Sequence, residues 1–164
     1  MKRSTAMVDG ALAGVAGAGC MSVVRMAARR VGLIDLTPPQ ATKTWLQKHG
    51  VGVAEGSAAH LLDAVIHLGV SATGGAVYGA LVEPGRRPPL ASGALFGLAL
   101  WATAFGALAP ALGITRSPWR GAWRETAVNV AAHLIYGGSL AVMTGELGRQ
   151  ASGAGARGVR ARVG

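Results

Sequence analysis

Residues 58–82 read AAHLLDAVIHLGVSATGGAVYGALV, and this run decides the fold. A helix needs about 20 residues to cross the hydrocarbon core of a bilayer, and this stretch supplies them. It carries one carboxylate, Asp63, and two histidines, His60 and His67, but no lysine or arginine. In lipid every backbone polar group must be satisfied internally, which leaves helices or closed barrels, and nothing here alternates with period two. Working outward, three similar runs appear. Residues 8–24 are Gly/Ala-rich and closed by Arg25, Arg29 and Arg30. Residues 90–114 hold Trp101 and Phe105, with Pro110 near the far end, and residues 126–147 form the last run. We therefore expect an all-α integral membrane bundle of four transmembrane helices at about 8–29, 58–83, 90–113 and 125–147. These make one domain, 1–147, and the Gly/Ala/Arg-rich residues 148–164 read as a disordered basic tail.

Composition agrees. Hydrophobic residues make up 51% of the 164 residues and charged ones 14%, with a mean hydropathy of +0.38. Disorder needs the opposite balance, and so few charges would poorly solvate a soluble domain. The single cysteine, Cys20, excludes an internal disulfide framework and any multi-cysteine metal site. The net charge of +9 does not point to nucleic acid, because the basic residues fall between apolar runs and at the ends, without a recognition motif or interleaved aromatics. Anionic headgroups select that placement, so the bilayer is the expected partner.

The opening Met1-Lys2-Arg3 and the box Gly17-Ala18-Gly19-Cys20 resemble secretory and lipoprotein signals. Asp9 interrupts the apolar region and Gly17 stands where such a box usually has Leu, so the run is read as a retained helix. In the first loop, Thr37-Pro38-Pro39 breaks any helix and residues 40–49 can form a short interfacial one, with Ala41, Trp45 and Leu46 towards lipid. The second loop, residues 83–89, is a proline-rich turn. The third places Trp119 and Trp123 among Arg116, Arg120 and Arg124, the chemistry of a membrane interface. Positive charges divide evenly between the two sides. Lys2, Arg3, Arg86, Arg87, Arg149, Arg157, Arg160 and Arg162 stand on one, and Arg25, Arg29, Arg30, Lys43, Lys48, Arg116, Arg120 and Arg124 on the other. The basic leader favours both termini in the cytoplasm, because the first helix usually dominates orientation.

Two polar stripes interrupt the apolar spans. His60, Asp63, His67, Ser71, Gly74 and Tyr78 follow spacings of three and four, as do Glu125, Asn129, His133 and Tyr136. Each set therefore shares one helix face. An ionised group at the centre of a span costs about 2.5–3.5 kcal/mol on insertion scales, so the stripes should face protein, and facing each other would satisfy both. Three readings are open for such a seam between the second and fourth spans: hydrogen bonds that only hold the bundle, a protonatable relay or small-solute site, or a metal site built from His60, Asp63, His67, Glu125 and His133. The spacing is not the Glu-x-x-His repeat of di-iron bundles, and no cofactor is expected. Soluble-enzyme motifs such as a phosphate-binding loop, a nucleophile elbow or His-Glu-x-x-His are missing, so the function leans non-enzymatic. A metal-binding membrane enzyme and a structural or partner-binding subunit are the alternatives. The pairs Gly10 and Gly14, Gly75 and Gly79, and Gly93 and Gly97 permit close helix packing, inside the bundle first and in a homo-oligomer second.

At these residues the chain resembles the YagU family of small bacterial inner-membrane proteins, over residues 58–147. The resemblance rests on His67-x3-Ser71-x6-Tyr78-x4-Glu83, Gly113-Ile114-Thr115, Pro118-Trp119 and Glu125-x7-His133. Asn129 stands where a second carboxylate would be expected, and the first loop is shorter. The resemblance implies a bacterial inner-membrane protein linked to acid resistance and supplies no mechanism.

Overall fold

The computed structural model describes residues 3–34, 38–53, 56–82, 88–120 and 123–163, with side chains for all of these except 38, 39 and 151–163. The described residues form five helices: α1 (Arg3–Arg30), α2 (Pro38–Lys48), α3 (Gly56–Leu81), α4 (Leu90–Ala111) and α5 (Trp123–Val163). No strand occurs among the described residues. Helices α1, α3, α4 and the 123–150 part of α5 are long and apolar enough to cross a membrane. No more than 33% of any of these spans is buried, and large apolar residues such as Val8, Leu12, Leu61, Val65 and Leu95 point outward. A water-soluble bundle would not leave whole helix faces like this; lipid covers them. The chain is a multi-pass, all-α membrane bundle.

Helix ends follow local chemistry. Pro38 and Pro39 open α2 in its first turn, where a missing N–H costs nothing, so the short helix of the first loop begins two residues before the expected Gln40. α1 and α4 both stop in the same way. Gly32 (φ +70°) and Gly113 (φ +70°) turn the chain left-handed. Leu33 N–H then bonds the Ala28 carbonyl and Ile114 N–H the Ala109 carbonyl, both at 2.9 Å, which closes each helix end with a Schellman motif. Within α4, residues Ala102–Leu108 form a π-helical turn in which Ala109 N–H reaches the Ala104 carbonyl. Pro110 follows directly. It has no N–H to offer Gly106 and its ring crowds that carbonyl, so a widened turn relieves the ladder there.

α5 differs from expectation at its end. The backbone of residues 148–163 continues the helix instead of leaving it as a disordered tail. Alanine and arginine favour helix, each glycine subtracts only about 1 kcal/mol, and propagation from an existing helix needs no new nucleus. Glu146 and Arg149 pair one turn apart at the point where the helix leaves the apolar span.

Packing is set by glycine. A Cβ at Gly10 would overlap the Gly75 carbonyl, one at Gly14 the Ser71 carbonyl, and one at Gly79 the Ala6 carbonyl, so α1 and α3 lie backbone against backbone. Gly93 and Gly97 meet the carbonyls of Gly137 and His133 in the same manner, locking α4 to α5. α1 also packs along α5, whereas α3 touches α4 and α5 only sparsely. This corrects the expected pairing of the second and fourth spans: the glycine face of α1 approaches α3 more closely than any bulky face could, and α1 then lies between α3 and α5. Ala13, Met21, Tyr78, Ala132, Tyr136 and Leu140 form the buried core.

Candidate functional site: a polar cavity at one end of the bundle

At the end of the bundle where α1 and α4 finish and α3 and α5 begin, the helices enclose a cavity of about 280 Å³. Each element contributes in turn. α1 supplies Met21 and Arg25, α2 supplies Lys43 and Leu46, and α3 supplies Asp63, His67 and Ser71. α4 adds Leu100 and Phe105, and α5 adds His133 and Tyr136. A second hollow of about 220 Å³ lies beside it, with Asp63, His67 and Arg25 in its wall together with Arg29.

His133 is 4% exposed. Its Nδ1 lies 2.7 Å from the Asn129 carbonyl, so Nδ1–H donates there and the free lone pair resides on Nε2. The edge of its ring meets Phe105 at 5.4 Å between centroids. The π turn of α4 carries Phe105 to this position, and the Arg25 guanidinium stands 6.0 Å from the same ring. Arg25 donates through Nη2 to Asn129 Oδ1 at 3.1 Å, while Asn129 Nδ2 donates to the Glu125 carbonyl at 3.0 Å. A single amide thus aims the arginine and occupies the start of α5. Tyr136 donates its O–H to the Ser71 carbonyl at 2.6 Å and forms the floor.

The two polar stripes are therefore divided by the fold. Asp63, His67, Ser71, His133 and Tyr136 line the cavity, and Asn129 stands behind it holding Arg25. His60 is exposed and outside the cavity lining. Glu125 is half-buried and does not line the cavity either. Tyr78 is buried towards the opposite end of α3, where its hydroxyl shares a 2.8 Å hydrogen bond with Ser92 and its ring packs on Phe96. Among the described residues no three His, Cys, Asp or Glu side chains are placed to share a metal ion, so His60, Asp63, His67, Glu125 and His133 do not converge as a ligand set. The interfacial group is exposed: Trp119 at 80% and Trp123 at 73%. Arg116, Arg120 and Trp119 border an open hollow of about 800 Å³, and the Arg124 guanidinium lies 5.8 Å from the Trp123 ring.

Arg25, Lys43 and Phe105 are cavity residues that belong to neither stripe. For Arg25 a signal exists in the sequence. Gly10, Gly14, Ala18, Met21 and Arg25 follow spacings of four, four, three and four, so the arginine shares a face with the glycines that pack inward. No protein-family model, curated protein or solved structure matches the chain.

Proposed function

We propose that this is a bacterial inner-membrane protein that admits a small solute to the cavity between α1, α3, α4 and α5, and whose state follows protonation of His67 and His133. The observation that carries the reading is the joint presence of two histidines, Asp63 and Arg25 around one hollow inside an apolar bundle. Ionisable groups within spans are costly, and where they persist they mark solute or proton paths more often than packing. Histidine is the side chain whose ordinary titration falls near neutral pH. The resemblance to the YagU family adds the inner membrane and acid stress to this proposal, with both termini cytoplasmic. His67, Ser71 and His133, which carry part of that resemblance, are cavity residues here.

The test compares three histidines of one protein. His67→Ala and His133→Ala should lower survival of acid challenge several-fold at unchanged amounts of membrane-inserted protein, whereas His60→Ala should leave both unchanged. If the two cavity variants lose folded protein in proportion to survival, the polar groups serve packing alone and the proposal fails.

A further inference from the structure

Resting on the solute-cavity reading, we infer that the occupant is an anion: a carboxylate or phosphate group carrying an apolar substituent, with its charge seated on Arg25. Arg25 is 7% exposed and its guanidinium stays protonated in any protein environment. A buried charge of this kind is costly unless it is paired and fully hydrogen-bonded. Among the described residues Arg25 forms no ion pair, and its hydrogen-bond acceptor is Asn129 Oδ1, a neutral amide. Its Nε–H is buried with no acceptor among the described residues. Among the described residues no side chain completes it, and the adjoining space is hollow.

The charges around that hollow tell the same story. Among the described lining residues Arg25 and Lys43 oppose the single carboxylate of Asp63, which leaves one positive charge uncompensated with both histidines neutral, and more when His67 or His133 is protonated. Arg29 faces Asp63 from the neighbouring hollow and tips the balance further. A guanidinium fork recognises carboxylate and phosphate oxygens through paired, charge-assisted hydrogen bonds. The rest of the wall is apolar, with Leu100 and Phe105 on one side and Ile66 and Val70 on the other. α3 and α4 scarcely touch along this side, so an apolar tail can lie between them towards lipid. A volume of about 280 Å³ accommodates about nine groups the size of a water molecule, the scale of a short-chain amphiphile.

The experiment uses the full chain in nanodiscs of neutral phosphatidylcholine, with calorimetric titration of octanoate, octanamide and inorganic phosphate against empty discs. Octanoate should bind at least tenfold more tightly than octanamide or phosphate. Arg25→Gln should remove that tenfold preference. Asn129→Asp should remove it too, because it keeps the side-chain shape and supplies the missing counter-charge from within, and it remains informative if the arginine variant folds poorly. Discs containing phosphatidylglycerol separate the sources: if that lipid blocks octanoate binding and co-purifies with the native chain but not with Arg25→Gln, a lipid headgroup is the anion. If it does neither, the anion is a free solute. Phosphate binding as tight as octanoate would overturn the apolar substituent. Equal binding of octanoate and octanamide, indifferent to both variants, would overturn the anion while the solute cavity stands. Absence of binding by every probe, phosphatidylglycerol included, would overturn the solute-cavity reading itself.

Discussion

Tyr136 of α5 donates its hydroxyl to the backbone carbonyl of Ser71 in α3 at 2.6 Å, a buried bond between two helices that otherwise touch only sparsely. The ring fits because Gly17 and Gly74 leave room for it; a Cβ at either would press on the tyrosine. Tyr136→Phe keeps the packing and deletes the bond, so stability in unfolding titrations in mixed micelles should fall by about 1 kcal/mol. Tyr136→Ala also opens a void and should cost about 3–5 kcal/mol. Equal losses for the two variants would mean that the hydroxyl, not the ring, holds the floor of the cavity.

The glycine contacts predict a position-dependent response to a single methyl group. Gly75→Ala meets the backbone of Gly10 and Gly14, and Gly97→Ala meets that of His133, so helices must separate. Overpacking of this kind costs about 1–3 kcal/mol. Gly69→Ala and Gly138→Ala point into open space and should be neutral or gain up to about 1 kcal/mol from better helix propensity. Unfolding midpoints of the four variants provide the comparison, and similar midpoints would contradict the packing described.

Pro110 stands at the end of the widened turn that carries Phe105 to His133, and its missing N–H accounts for that turn. Pro110→Ala restores the N–H and lets α4 close as a regular helix, which rotates Phe105 away. The ring-current shift of the His133 imidazole protons, read by NMR, should then be lost in Pro110→Ala as fully as in Phe105→Leu. Retention of the shift would assign the turn to tertiary packing rather than to proline.

Four antiparallel spans place residues 3 and 150 on the same face of the bundle and α2 on the other. With Cys20 replaced by serine, an impermeant thiol reagent should label cysteines at positions 3 and 150 from the same side of sealed vesicles and a cysteine at position 48 from the opposite side. Labelling of all three from one side would remove two spans, α1 and one of the three that follow α2.

Trp119 and Trp123 are exposed beside Arg116, Arg120 and Arg124, where an amphipathic indole and a long cationic side chain both favour the headgroup region. Quenchers carried at headgroup depth should quench these two indoles more strongly than quenchers at the bilayer centre. The reverse order would contradict an interfacial third loop.

The number, length and chemistry of the spans were legible in the sequence because the bilayer imposes a local rule: enough consecutive apolar residues, with every backbone group satisfied inside the helix. The same is true of the two polar stripes, since a period of 3.6 residues decides which side chains share a face, and of the glycine pairs, since close approach needs small residues in register. Which helix covers which face is not a local property. Periodicity put His67 and His133 on polar faces, but only the packing of Gly10 and Gly14 against Ser71, Gly75 and Gly79 decided that α1 lies between α3 and α5. That placement brought Arg25 to Asn129 across 104 residues of chain, and left His60, Glu125 and Tyr78 outside the cavity. It is a tertiary outcome because the backbone contact that drives it is worth having only when both helices present their glycines at once.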